Sequence, residues 1–109
     1  MEDGMKNLSS KRAKALAIDT KTKRMVYDRD GGLCVNCRCP GLPEAHFISR
    51  AFGGMGCEEN ILTLCRRCHD IYDNGCREVR AEMRERFGNY LASFYDGWDE
   101  DKLIYRKDY

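Results

Sequence analysis

Cys34-Val35-Asn36-Cys37 and Cys65-Arg66-Arg67-Cys68 are two turns of the same form, standing on either side of residues 38–64. A Cys-x2-Cys turn aims two thiolates at one point. Two such turns complete the tetrahedron that structural zinc takes from cysteine, with Zn–S distances of about 2.3 Å. Cys34, Cys37, Cys65 and Cys68 are therefore expected to hold one structural zinc ion. A lone Cys-x2-Cys is also the form of a redox dithiol, but two matched pairs favour the metal. The chain has seven cysteines in all. A secreted disulfide scaffold is the competing reading of that count. Against it, the number is odd, residues 1–10 lack the apolar core of a signal peptide, and paired cysteines in a reducing compartment bind metal. Cys39, Cys57 and Cys76 have no paired spacing and read as free thiols, although Cys39 is near enough in sequence to swap into the site.

Around this staple the chain has room for one small domain. It has 109 residues, 42% hydrophobic and 34% charged, which suits a folded domain with a modest core supplemented by metal. No apolar run approaches the roughly 20 residues of a membrane helix, so the expectation is a cytoplasmic protein with no membrane partner. The net charge of +1 excludes a uniformly basic nucleic-acid binder. The distribution is less even: Lys6, Lys11, Arg12, Lys14, Lys21, Lys23, Arg24 and Arg29 face only Asp19 and Asp28, a local balance of +6. Such a segment can follow a phosphate backbone or stand as a solvated arm.

The chain divides into a basic, loosely ordered arm over residues 1–18, a main domain over 19–96 and a tail over 97–109. The arm has room for a short helix from Lys11 to Ile18. Asp19 and Thr20 can cap a helix from Lys21 to about Arg29, which Asp30-Gly31-Gly32 ends in a turn. Glu44–Ser49 and Asn60–Leu64 read as two short strands of a hairpin joined by a glycine-rich connection. A helix from Arg66 to Asn74 is closed by Gly75. A second runs roughly from Cys76 to Tyr95, with Val79, Met83, Phe87, Tyr90, Leu91 and Phe94 on one apolar face and Gly88 weakening its middle. Trp98, Leu103, Ile104 and Tyr105 are anchors by which the tail packs on the domain or on a partner copy.

The two histidines of the chain, His46 and His69, both fall between or just after the cysteine pairs, with Asn60 between them. On a helix, Asp73 lies at i+4 from His69, so the two can hold one divalent ion from one side. The run Arg29-Asp30-Gly31-Gly32-x-Cys34-x2-Cys37, then Glu44-Ala45-His46-Phe47-Ile48-Ser49-Arg50, Gly53-Gly54 and Asn60-Ile61-Leu62-Thr63-Leu64-Cys65-Arg66-Arg67-Cys68-His69 resembles the HNH endonuclease family. More narrowly, it is similar to small HNH proteins with a four-cysteine zinc site, which are common in bacteriophage and prophage genomes. The resemblance covers residues of about 24 to 75.

The resemblance implies an α+β fold of the ββα-metal (HNH, His-Me finger) type, with added N- and C-terminal helices. It implies a metal-dependent endonuclease hydrolysing DNA phosphodiester bonds. In that reading His46 is the general base, Asn60 braces the loop that orients it, and His69 with Asp73 holds the catalytic Mg²⁺, Mn²⁺ or other divalent ion. Two positions depart from the family pattern. Asp73 stands where a histidine is frequent, which favours harder ions. Ala45 stands where many members carry a ligand; Glu44 can replace it only through an irregular backbone, because neighbouring strand residues face opposite sides. A shifted register would make His46 a ligand and put Phe47 at the base position, but Phe47-Ile48-Ser49-Arg50 aligns with the residues that follow the base. Lys23, Arg50, Arg66 and Arg67 are the candidate phosphate contacts. The expected partner is DNA, with a second copy of the chain or a packaging or recombination protein as further partners. The alternative function is a catalytically weak or inactive zinc-stapled nucleic-acid-binding module, which Ala45 favours. A third is a structural accessory that assembles through the helix over 76–95.

Overall fold

The computed structural model describes residues 10–106; the first half of the basic arm, Lys6 included, and the last three residues of the tail lie outside them. The chain forms helix α1 (Lys11–Leu16), helix α2 (Thr20–Asp30), strand β1 (Leu42–His46), strand β2 (Ile61–Leu64), helix α3 (Arg66–Asn74) and helix α4 (Arg77–Ala92), with 3-10 turns at Arg50–Phe52, Glu58–Asn60 and Glu100–Leu103. The architecture is α+β, with one two-stranded antiparallel sheet. Among the described residues, no helix is long and apolar enough to cross a membrane.

Local chemistry sets the helix ends. Asp19 caps α2 by accepting the Thr22 N–H at 2.7 Å, an interaction worth about 1 kcal/mol. Gly31 ends α2 in the left-handed region, at φ 68°. Cys65 caps α3, its Sγ accepting the Cys68 N–H at 3.4 Å. Gly75 follows α3 and donates to the Ile71 carbonyl at 2.7 Å.

The hairpin is shifted from its sequence reading: β1 starts at Leu42 rather than Glu44, and β2 starts at Ile61, with Asn60 in the 3-10 turn before it. β1 stops at His46 rather than Ser49 because, after one further backbone bond, the chain meets a side chain instead of a strand. Phe47 donates to the Asn60 carbonyl at 2.7 Å, and Ile48 donates to Asn60 Oδ1 at 2.8 Å. Leu42 pairs with Leu64 and Ala45 with Leu62, so Pro43 and Glu44 lie opposite Thr63 alone and β1 carries a bulge. β2 is buried at all four positions, which removes the alternation expected of a strand with one wet face.

The core gathers Phe47, Leu62, Leu64, Tyr72, Met83, Phe87, Leu91 and Leu103. α4 supplies Met83, Phe87 and Leu91 at i, i+4 and i+8. Val79 and Phe94, read from the sequence onto this face, are instead 41% and 46% exposed. Gly88 costs the helix about 1 kcal/mol of propensity, but a Cβ there would sit 3.3 Å from Phe47 Cζ. The glycine lets α4 close on Phe47, whose ring meets Trp98 edge-on at 5.6 Å. The tail packs on the same domain: Trp98 Nε1 donates to the Glu59 carbonyl at 2.9 Å, and Tyr105 donates to the Gly53 carbonyl at 2.8 Å.

A buried ion pair ties α2 to the hairpin and to α4. Arg29 Nε donates to Asp30 Oδ1 at 2.8 Å, and the rest of its guanidinium reaches the Glu58 carbonyl, the Ile61 carbonyl and the Tyr95 hydroxyl. Asp30 in turn accepts from the Thr63 N–H at 2.9 Å and the Tyr90 hydroxyl at 2.7 Å. Arg29 is thus spent on the fold, which removes it from the basic stripe that the sequence suggested. Because every polar atom of this pair is matched, deleting one partner strands the other in a dry setting. Arg29→Met is expected to lower unfolding free energy by about 3–5 kcal/mol, measured by urea denaturation of the metal-loaded protein. A loss below about 0.5 kcal/mol, the range of an ordinary surface change, would contradict this.

Candidate functional site

The four paired cysteines converge. The sulfurs of Cys34, Cys37, Cys65 and Cys68 all lie within 4.8 Å of one another, and Cys37 Sγ stands 3.6 Å from Cys65 Sγ. A tetrahedral ion with Zn–S bonds of about 2.3 Å requires S···S separations of about 3.8 Å, so the cage has the right size for a metal such as zinc. Cys39 and Cys76 are exposed and Cys57 is half-buried, and none of them belongs to the group.

Each knuckle aims a backbone N–H at one of its sulfurs. Cys34 Sγ accepts the Cys37 N–H at 3.4 Å, and Asn36 Nδ2 lies 3.3 Å from Cys68 Sγ. Burial raises the Cys34 thiol, but amide N–H groups from Cys37, Cys65 and Asn36 outweigh it and bring it to about 7. Cys68 is pushed up to about 12 by burial, with the Asn36 side chain opposing. A cation is what lets all four ionise together. The cage is tied to the sheet by the Val35 N–H, which donates to the Thr63 carbonyl at 2.9 Å, and to α4 by Arg86, which donates to Asn36 Oδ1 at 2.6 Å.

A second group of side chains lies on an open cleft of about 1230 Å³ lined by residues of α2, β1, α3, α4 and the tail. His46, His69 and Asp73 all line it, as do Lys23 and Arg50. His69 Nε2 stands 3.3 Å from Asp73 Oδ2 across one turn of α3. Two ligands on one small cation at about 2.1 Å each lie about 3 Å apart when they are adjacent, so this pair can grip one ion. Arg66 and Arg67, both exposed, line an adjoining pocket that shares Glu44, His69 and Asp73 with the cleft.

The strand alternation bears on Ala45. Its side chain is fully buried in the core, while Glu44 is exposed and His46 half-exposed on the opposite face. Glu44, although it lies in the bulge, is exposed like His46 rather than buried like Ala45, and pairs with Lys23 at 3.8 Å. Phe47 is 2% exposed and borders the cleft without bringing it a group that can ligate an ion or take a proton.

His46 is held by the arm. Its Nε2 lies 2.9 Å from the Leu16 carbonyl. A carbonyl only accepts, so Nε2 carries the proton and the neutral ring has its lone pair on Nδ1. Burial lowers the His46 pKa, against the Leu16 hydrogen bond, which raises it; the Arg50 charge lowers it further. Burial and the Arg50 charge thus favour the neutral imidazole. The Leu16 carbonyl is positioned by Gly56, whose N–H donates to the Ala15 carbonyl at 2.9 Å; a Cβ on Gly56 would fall 2.0 Å from the Ala17 oxygen.

Asn60 is fully buried and absent from the cleft wall. It holds the backbone beyond β1, with Oδ1 on the Ile48 N–H and Nδ2 on the carbonyls of Ile48, at 3.1 Å, and Met55, at 2.8 Å. Tyr72 does similar work, donating its hydroxyl to the Phe47 carbonyl at 2.8 Å.

Sequence reasoning missed Arg77, Arg80 and Arg84, which also line the cleft. Their i, i+3, i+7 spacing puts them on one face of α4, a signal hidden behind the apolar stripe of the same helix. Arg80 Nε donates to the Tyr72 carbonyl at 2.9 Å, and Arg84 lies over the Phe47 ring at 4.8 Å. Arg77 makes no ion pair among the described residues.

The sulfur cage predicts one tightly held metal per chain. Cys65→Ser removes a sulfur ligand while keeping an oxygen that can cap α3, and is expected to lose both the metal and cooperative unfolding, read by metal analysis and thermal circular dichroism. A cooperative, metal-free fold in that variant would contradict a structural role for the cage.

Comparison of the chain with protein-family models and with curated proteins found no match.

Proposed function

We propose that this protein is a metal-dependent endonuclease of the HNH type that hydrolyses DNA phosphodiester bonds, with a zinc ion in its four-cysteine cage. The observation that carries the reading is the shared cleft. It joins a neutral histidine with a free Nδ1 to a His–Asp pair of ion-gripping geometry, in a wall rich in arginine. A divalent ion bound by His69 and Asp73 would act as a Lewis acid on the scissile phosphate and ease departure of the 3′ oxygen. Mg²⁺ or Mn²⁺ suits the pair, given its carboxylate.

The remaining roles fall to the chain itself. Lys23, Arg50 and the α4 arginines bind and orient the phosphate backbone, with Arg66 and Arg67 extending the track. His46 Nδ1 takes a proton from the attacking water, the new P–O bond forms as the bond to the 3′ oxygen breaks, and the departing oxygen is protonated from solvent. The products carry 5′-phosphate and 3′-hydroxyl ends. Leu16 fixes the His46 tautomer, and Asn60 fixes the backbone after the strand; these two position the base without touching substrate. The reading as a binding module rested on Ala45, and that side chain points into the core rather than the cleft.

Nicking of supercoiled plasmid is the assay. Wild type is expected to nick with Mg²⁺ or Mn²⁺, and His46→Ala to lose at least about a hundredfold in rate, the usual scale of a general base, while keeping its zinc and fold. Retention of the wild-type rate by His46→Ala would sink the base assignment. Gly56→Ala drives a methyl group against the Ala17 carbonyl and so displaces Leu16. Its nicking rate should fall roughly ten- to a hundredfold, as for a misplaced catalytic group, with KM and metal content unchanged. An unaltered or faster rate would show that the Leu16 contact does not serve catalysis.

A further inference from the structure

Phe52 is 77% exposed, more than any other large hydrophobic side chain among the described residues. Single exposed apolar residues are common and carry no meaning by themselves. The surroundings of this one are unusual in two respects. Of the exposed large hydrophobics, Phe52 alone lines the cleft that holds His46. It also stands on a rigid turn: its N–H donates to the Ser49 carbonyl at 3.0 Å, the Gly54 N–H returns to the same carbonyl at 2.9 Å, and the Tyr105 N–H seals Gly53 at 2.8 Å. The Asn60 amide clamps the backbone on either side of this turn through the Ile48 and Met55 carbonyls. The chain thus presents a phenyl ring to water from a backbone turn held on both sides, on the wall of the same cleft as His46.

The chemistry around the ring points to its occupant. Arg50 begins the same turn, and Arg12 donates to its carbonyl at 3.3 Å. The cleft continues along the arginines of α4. Four carboxylates also line the cleft, and Lys23 and Arg84 pair with Glu44 and Glu100, which leaves Arg50, Arg77 and Arg80 without an ion pair among the described residues and able to meet an anionic ligand. A nucleic acid offers both halves of the match: phosphates for the guanidinium groups and a flat base for the ring.

Resting on the nuclease reading above, we infer that Phe52 stacks on an unpaired nucleobase beside the scissile phosphate, so that locally unpaired DNA is the preferred substrate class. In a continuous duplex both faces of every base are already stacked, and the ring must part a base step to find a partner. At a bulge, branch or single-stranded stretch that cost is mostly removed.

The test is binding by the full zinc-loaded chain, without added divalent ion, to a duplex bearing one bulged 2-aminopurine and to the same duplex fully paired. Wild type should bind the bulged duplex about tenfold more tightly, the scale of one base–aromatic stack, and quench the 2-aminopurine. Phe52→Ala should lose the quenching and the preference while binding paired duplex within about twofold of wild type, and Phe52→Trp should retain all three. Because the side chain is exposed, circular dichroism of each variant should match wild type. A Phe52→Ala protein that keeps both preference and quenching overturns the inference and leaves the nuclease reading standing. Wild-type protein that binds neither duplex overturns both.

Discussion

Four sulfurs crowded within 4.8 Å of one another are the constraint on which the rest of the molecule hangs. Without a cation, burial opposes the ionisation of Cys34 and Cys68 alike; the hydrogen bonds around them outweigh it at Cys34 but not at Cys68. With one, the turn after α2 and the start of α3 become a single unit, although Cys37 and Cys65 lie far apart in sequence. Everything between them is then a closed loop whose ends are fixed. That loop contains the hairpin and His46, while α3, starting at the cage, carries His69 and Asp73. The cage thus sets the distance between the groups of the cleft while taking no part in it.

The second device is polar. The Arg29–Asp30 pair reaches β2, the 3-10 turn before it, Tyr90 and Tyr95. It does at one end of β2 what the metal cage does at the other. A four-residue strand buried on every side needs such help, since a two-stranded hairpin is marginal alone.

The cage, both later helices and the extent of α3 were legible in the residues, because each rests on a local rule: paired cysteines, a capping side chain, helical spacing. The end of β1 was not, since it depends on Asn60 supplying side-chain hydrogen bonds where a strand partner was expected. Nor was the burial of Arg29, which reads as one more cation until the carbonyls around it are seen. The place of Ala45 depends on which face of β1 meets the core, and a strand of five residues with a bulge does not announce that. The arginines of α4 went unread because the apolar stripe of the same helix explained its sequence well enough. The contact between Leu16 and His46 has no sequence signature, being made by a backbone carbonyl; only Gly56 hints at it, as a glycine required by close approach.

The proposed nuclease reading assigns the two histidines different tasks: His69 grips an ion with Asp73, and His46 stays off the metal as base. Crystals grown with zinc and then soaked in Mn²⁺ would locate both metals by anomalous scattering at their separate absorption edges. The account predicts zinc in the four-cysteine cage and manganese about 2.1–2.2 Å from His69 Nε2 and Asp73 Oδ2, with His46 Nδ1 free of it. Manganese bound directly by His46, or absent from the His69–Asp73 pair, would contradict the account.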